Sequence, residues 1–306
     1  MSEKQDTQVI KQLALIGFGE AAKAFSSGWQ SEELGIDVHA YDIKVQSTES
    51  EVARRMREDY SNTGVTGFDE LAAAVKNCGA VFSLVTADQA LIAAQSVAEC
   101  IEQDTFYFDC NSCAPDTKRQ SARIINNAGG HYVDVAIIAP VHPRLHKTPT
   151  LVSGPFAEQA LELFSALKMS ATLVAGDIGT ASSIKMVRSI MMKGLEALMA
   201  ECVLAGRRAG IEEAVLQSLE KTYPGFGWEE RAAYMLERMM VHGKRRAAEM
   251  REVALTVEQL DLSADMVSST IEWQQKIGDL ELDAGDDNYQ SRADAILEEL
   301  NKSGES

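Results

Sequence analysis

The chain has 306 residues, 45% hydrophobic and 25% charged, the composition of an ordinary globular protein with one large or two smaller domains. Its formal net charge of -17 argues against a polyanionic partner such as nucleic acid, with HGKRRAAEMR (242–251) a local basic exception. No apolar run approaches the roughly 20 residues of a membrane span, the start MSEKQDTQVIKQ lacks a signal-peptide core, and the five cysteines (Cys78, Cys100, Cys110, Cys113, Cys202) are scattered, so a cytoplasmic chain with no membrane partner and no disulfide framework is expected.

Taken in order, LALIGFG reads as a strand entering a glycine turn, AAKAFSSGWQ as a helix and IDVHAYD as the next strand. Further strand-like runs are AVFSLV (80–85), TFYFDC (105–110), HYVDVAI (131–137), PTLVSG (149–154) and ATLVAG (171–176). Helical stretches such as DQALIAAQSVAECI (88–101) separate most of them, which predicts parallel pairing with right-handed crossovers. After Gly179 the strands stop. Residues 180–208 form one helical pattern, and helix-type segments continue to about residue 301, broken by the loop YPGFGW (223–228). The expected organisation is an α/β domain with a parallel sheet over 1–178 and an all-α domain over 179–306, with NKSGES as a frayed tail.

GFGEAA (17–22) follows the first strand, opens the first helix and fits the pattern G-x-G-x-x-G/A. Gly17 permits a tight turn, Gly19 lets the backbone approach a pyrophosphate, and Ala22 still allows close helix packing. Phe18, Glu20 and Ala21 complete the turn that would face the phosphates, on unpaired N–H groups at a helix N-terminus. Asp42, at the end of the second strand, can accept from adenosine ribose hydroxyls and would repel a 2'-phosphate. The cofactor expected is NAD or NADP, with NAD favoured by Asp42 and Lys44 softening the preference. Val85 and Thr86, at the end of AVFSLV, are expected to line its path.

Farther along, Lys185, Ser189 and Lys193 are spaced four apart and form one helical stripe, ~6 Å between neighbours. A lysine beside a nicotinamide can take a proton from an alcohol as hydride leaves, or return it. A solvated face of an amphipathic helix would show the same stripe. DCNSCAP (109–115) allows a redox dithiol, half a zinc site, or two unrelated thiols on a loop that serves another purpose. His142 and His146 in VHPRLH are four apart, but the prolines make a helix improbable and no third ligand is evident, so no metal is expected and the histidines are placed near the substrate mouth. In HGKRRAAEM, Arg245 and Glu249 are spaced to pair. The methionines of the long helix (Met186, Met191, Met192, Met199) are expected in the core.

Together GFGEAA, DCNSCAP and the helix carrying Lys185 resemble, in that order, the beta-hydroxyacid dehydrogenase family, which includes 3-hydroxyisobutyrate and 6-phosphogluconate dehydrogenases. The resemblance spans about residues 13–200, with a distinct C-terminal branch. It implies a Rossmann domain joined by a long helix to an all-helical domain, assembled as a homodimer or homotetramer. It also implies nicotinamide-dependent oxidation of a hydroxyl beta to a carboxylate, or the reverse, on a small hydroxy acid. Gly17, Gly19 and Ala22 match the glycine motif. Asp109, Ser112 and Pro115 match the substrate loop, in which Asn111 replaces a hydroxyl residue. Lys185 matches the catalytic lysine.

The sequence departs from the family in three places. Ser189 stands where the family has an asparagine that orients substrate. Met192 stands where 6-phosphogluconate dehydrogenase places an acid, which puts its decarboxylation in doubt. DVAIIAP (134–140) replaces D-A-P-V-S-G-G, and Pro140 has no N–H to offer a carboxylate, so a bulkier or less polar substrate is expected. The resemblance also implies a charged residue from the second domain at the site, with Arg246 and His242 the candidates to hold the substrate carboxylate alongside Asn111, Ser112, Ser189 and Lys193. Two alternatives are an imine or other carbonyl reductase, against which Lys185 argues, and a non-catalytic nucleotide-binding regulatory protein.

Overall fold

The computed structural model describes residues 11–304, so the polar start read above lies largely outside the described residues, as do the last two positions of NKSGES. The chain divides into two compact units between Lys185 and Met186.

The first unit contains β1 (Gln12–Ile16), α1 (Glu20–Ser31), β2 (Asp37–Tyr41), α2 (Ser50–Asn62), β3 (Thr66–Gly67), α3 (Leu71–Val75), β4 (Ala80–Ser83) and α4 (Ala90–Ala98). It continues with β5 (Phe106–Asp109), α5 (Pro115–Asn127), β6 (His131–Ile137), β7 (Thr150–Ser153), α6 (Ala157–Ala166) and β8 (Ala171–Leu173). The strands form one sheet in the order β3-β2-β1-β4-β5-β6-β7-β8. β1 lies between β2 and β4 and is parallel to both, so the order reverses there. In an open parallel sheet the crevice at such a reversal, outside the carboxyl ends of the strands, is where ligands bind.

Both faces of the central strands are buried, which is why they read as continuous apolar runs. Leu13, Leu15, Phe82, Phe108 and Val133 join one core with Phe25, Trp29 and Phe164. Their alternate neighbours Ala14, Ile16, Val81, Tyr107 and Tyr132 join the other, with Ala122 and Ile125 of α5. Truncating one of these, such as Leu15→Ala, would cost about 2–5 kcal/mol.

Parallel pairing throughout is not what the sheet does. β7 runs antiparallel to β6, with Val135 opposite Val152. The connection between them has a 3-10 turn at Leu145–Lys147 and no crossover helix, and a parallel return needs a crossover. β8 is parallel to β7, after α6. β3 has two exposed residues and no apolar pattern to announce it.

α7 (Thr180–Ala209) follows, and the second unit adds α8 (Glu212–Thr222), α9 (Trp228–Glu258), α10 (Asp265–Gly278) and α11 (Tyr289–Gly304). The expected tail is therefore helical through Gly304. Met199, Val203 and Leu204 of α7 pack in one cluster with Leu236 and Met239 of α9 and Ile296 of α11. Met186 packs with Met250 and Val253 of α9 and Val267 of α10. Met191 and Met192 do not join the core as expected: they are 62% and 43% exposed, on the other side of the helix. The glycine of HGKRR has a packing role. A Cβ on Gly243 would lie 2.4 Å from the Gln274 carbonyl oxygen and 2.8 Å from Gly278 Cα, so α9 and α10 touch backbone to backbone there.

Candidate active site

Gly17 adopts φ +85°, and a Cβ there would sit 2.7 Å from the Leu84 carbonyl oxygen and 2.8 Å from Val85 Cγ1. Its N–H donates to the Tyr41 carbonyl at 2.9 Å. The turn is thus clamped between β2 and the segment after β4. β4 ends at Ser83, so Val85 and Thr86 lie in the loop beyond the strand, Val85 partly buried and Thr86 exposed.

Gly19 is the N-cap of α1, which has no side-chain cap, and a Cβ on Gly19 would meet nothing within 4 Å. An uncapped helix start with open space above its capping glycine fits a pyrophosphate. Glu20 is exposed and Ala21 partly buried on this first turn. Phe18 plays a different part from the one expected. Its ring is buried edge-on against Tyr60, with centroids 4.9 Å apart, and its N–H donates to Asp42 Oδ2 at 2.8 Å. The other Asp42 oxygen accepts from the Lys44 N–H at 3.0 Å, and the Lys44 side chain is exposed. Asp42 is therefore held at the glycine turn by two backbone donors, each oxygen keeping lone-pair capacity.

DCNSCAP leaves β5 and enters α5, with Pro115 at the first helical position. Asn111 is 3% exposed; its Nδ2 donates to Ser83 Oγ at 2.9 Å and to Asp109 Oδ1 at 2.8 Å, which fixes the amide orientation. Its Oδ1 is buried without a partner among the described residues. Next to it, Ser112 Oγ accepts a hydrogen bond from Lys185 Nζ. Cys110 and Cys113 are buried and in no disulfide, and burial pushes the Cys110 thiol up to about 12. They flank the two polar side chains and form no dithiol bridge.

Below the loop is a buried polar network that sequence reasoning missed. Lys118 of α5, 0% exposed, donates to Asp109 Oδ1 at 2.9 Å and to the Asp109 carbonyl at 2.6 Å, and its Nζ is 3.6 Å from Asp134 Oδ1. The Tyr132 hydroxyl donates to Asp109 Oδ2 at 2.7 Å. Asp134 accepts from Ser153 Oγ and from the Gly179 and Ser182 N–H groups, all at 3.1 Å, and from the Ser182 hydroxyl at 2.5 Å. The signal was present: Pro115, Lys118, Ala122 and Ile125 share the apolar face of α5, and Asp134 interrupts an apolar strand.

In the helical unit, Ser189 and Lys193 are buried at 8% and 7% exposure, and the Lys193 ammonium pairs with Glu249 at 3.0 Å, with Ser189 Oγ at 3.4 Å. Glu249 also pairs with Arg245, as the spacing predicted. Arg246 presents its two-pronged face to Glu196, not to solvent, and Gln274 Nε2 adds a bond to the same carboxylate at 2.8 Å. The expectation that Arg246 offers a free fork to a substrate carboxylate is thereby corrected. His242 is partly buried; desolvation and the nearby Arg238 and Arg245 lower its proton affinity, which favours the neutral ring. His146 is not an exposed loop histidine: it is 2% exposed within the first unit, where a side chain on Gly28 of α1 would strike its ring.

Among the described residues no group of three or more His, Cys, Asp or Glu side chains could hold a metal, and no helix is long and apolar enough to cross a membrane.

Residues 12–193 match the family described as the NAD binding domain of 6-phosphogluconate dehydrogenase, and residues 207–277 match a domain of unknown function, DUF1932. The crystal structure of a conserved hypothetical protein from Sinorhizobium meliloti 1021 is similar at 33% identity, covering 96% of this chain and 98% of that one, with a TM-score of 0.76. A conserved protein of unknown function, described as structurally similar to 3-hydroxyacid dehydrogenases, matches at 29% identity over 88% of this chain and 97% of its own, with a TM-score of 0.69. The Mycobacterium tuberculosis 3-hydroxyisobutyrate dehydrogenase with L-serine shares the fold at 12% identity, over 94% and 99% of the two chains, with a TM-score of 0.72.

Proposed function

Because this chain belongs to the family of the 6-phosphogluconate dehydrogenase NAD-binding domain, and so is a nicotinamide-dependent oxidoreductase of the hydroxyacid dehydrogenase type, we propose that Lys185 is its proton-transfer residue. The single observation that carries this reading is the Lys185–Ser112 hydrogen bond at the carboxyl end of β5, where the family fold opens its site.

The residues fit the cofactor. Gly17, Gly19, Glu20 and Ala21 would hold its pyrophosphate, Asp42 the adenosine ribose, and Val85 and Thr86 the wall beside the turn. When bound, it supplies a hydride acceptor, or a donor in reverse. NAD is the preferred form, because a 2'-phosphate would meet the Asp42 carboxylate, while Lys44 keeps NADP use within reach.

The protein's part is positioning and proton movement. Asn111 Oδ1, buried and unpartnered, is ready to accept from a substrate hydroxyl or a carboxamide N–H, since an unpaired buried acceptor costs about 1–3 kcal/mol until something donates to it. Ser112 orients the Lys185 ammonium. In oxidation Lys185, as the neutral amine, takes the proton from the substrate hydroxyl oxygen and becomes the ammonium, and in reduction the ammonium returns that proton to the carbonyl oxygen.

The substrate class is a hydroxy acid with a larger or less polar body than the short acids of the family. Two observations support this. Ile137, the last residue of β6, and Ile138 and Ala139 just past it are each partly exposed, and the cations Lys193 and Arg246 are already paired with Glu249 and Glu196. Exposed Met191, Leu198 and Val241 favour assembly of the helical unit with a second copy, as a homodimer or homotetramer. A panel of hydroxy acids, offered with NAD+ and with NADP+ and followed by absorbance of the reduced nicotinamide, tests the reading. No turnover across short, branched and longer apolar hydroxy acids with either cofactor would count against it, and a clear best rate with the short acids would contradict the substrate class.

A further inference from the structure

A lysine with 0% exposure on the helix behind a candidate active site calls for an explanation. Taking an ammonium out of water costs several kcal/mol unless close partners match it, and an apolar side chain of the same volume would often be as stable there. Burial by itself lowers the proton affinity of Lys118, but Asp109, Cys113 and Asp134 outweigh burial and hold it above the usual lysine range. The group stays charged.

The two carboxylates it joins lead to two different parts of the site. Asp109 Oδ1 receives Lys118 at 2.9 Å and also the backbone N–H of Asn111 at 3.0 Å and its Nδ2 at 2.8 Å. Asp134, 3.6 Å from the ammonium, receives the first turn of α7 through the Gly179 N–H, the Ser182 N–H and the Ser182 hydroxyl. The positive end of that helix and the ammonium share the neutralisation of Asp134. Ser182 lies one turn before Lys185, so whatever fixes Ser182 also fixes the direction in which Lys185 leaves the helix.

We propose that Lys118 is a positioning residue: its buried ammonium ties the loop of Asn111 and Ser112 to the first turn of α7 and so holds Lys185 in register with Ser112. The functional consequence rests on the reading of Lys185 as the proton-transfer group. The geometric coupling does not, and it can be measured without turnover.

The experiment is reductive methylation of the full-length protein with 13C-formaldehyde, followed by the NMR signal of dimethylated Lys185, assigned through Lys185→Arg. Lys118, fully buried, escapes the reagent. Ser112→Ala gives the reference position of a Lys185 that lacks the Ser112 bond. In Lys118→Met the Lys185 signal is expected to move to that reference position, while circular dichroism and NADH binding stay those of the wild type. Ser182→Ala, which deletes one hydroxyl, is expected to move it in the same direction by less and serves if Lys118→Met does not fold. A Lys185 signal that stays at its wild-type position in folded Lys118→Met, or failing that in Ser182→Ala, overturns the proposal. So does one that Ser112→Ala leaves unmoved. Failure of the proton-transfer reading looks different: Lys185→Ala keeps full turnover while the signals still couple.

Discussion

Lys185 and Ser112 are 73 positions apart in sequence, and the ammonium of the first donates to the hydroxyl of the second. The bond joins the loop after β5 to the first two turns of α7, and it places a titratable amine beside Asn111. Ser112→Ala should therefore lower kcat/KM for the hydroxy acid about 10–150-fold, in line with a hydrogen bond to a charged group worth roughly 1.5–3 kcal/mol, and leave the cofactor dissociation constant unchanged. Steady-state kinetics with a fluorescence titration of NADH checks both.

The two glycines of the turn should fail differently. Gly17→Ala puts a Cβ against backbone at a φ of +85°, so a loss of stability of about 1–3 kcal/mol is expected in urea unfolding. Gly19→Ala meets nothing in the protein and should unfold within about 0.5 kcal/mol of wild type. Its methyl group occupies the space assigned to the pyrophosphate, so cofactor binding should weaken about tenfold or more. Equal stability losses at both positions would contradict the assignment.

The proposed preference for NAD rests on Asp42. Asp42→Asn keeps an acceptor for the Phe18 N–H and removes the charge that opposes a 2'-phosphate. The ratio of kcat/KM for NADP to that for NAD should rise about tenfold, a shift of about 1.4 kcal/mol in discrimination. No change in the ratio would place the adenosine end elsewhere.

The thiol pair should be chemically quiet. A thiol whose proton affinity is raised by burial to about 12 holds its proton at every lower pH, and the thiolate is the reactive form. Cys110 should resist iodoacetamide in the native protein at pH 8 while unfolded protein reacts freely. Serine at both Cys110 and Cys113 should leave activity largely intact; a large loss, or activity that follows the redox state, would restore the dithiol.

Much of the nucleotide turn was legible because its information is local. GFGEAA and Asp42 carry their meaning in spacing along one strand, one turn and the next strand end. The stripe of Lys185, Ser189 and Lys193 was legible on one helix, but a solvated face shows the same spacing, and only the family resemblance singled out Lys185. What escaped depends on distant partners. Lys118 resembles any lysine of an amphipathic helix until Asp109 and Asp134 are seen to close around it. Arg246 resembles a free fork until Glu196, 50 positions away, occupies it. The direction of β7 escaped because PTLVSG has the same apolar texture in either orientation; only the helix-free connection decides it. Met191 and Met192 read as core because hydropathy does not say which side of α7 is covered.

The central claim is that Lys185 moves the proton in a nicotinamide-dependent oxidation. The most direct measurement is single-turnover formation of reduced nicotinamide, with the best hydroxy acid of the panel, in wild type and Lys185→Ala, alongside cofactor binding to both. Loss of a general acid–base group predicts a rate lower by about 10²–10⁴-fold with the cofactor dissociation constant unchanged. A Lys185→Ala protein that binds cofactor and forms reduced nicotinamide at the wild-type rate would contradict it.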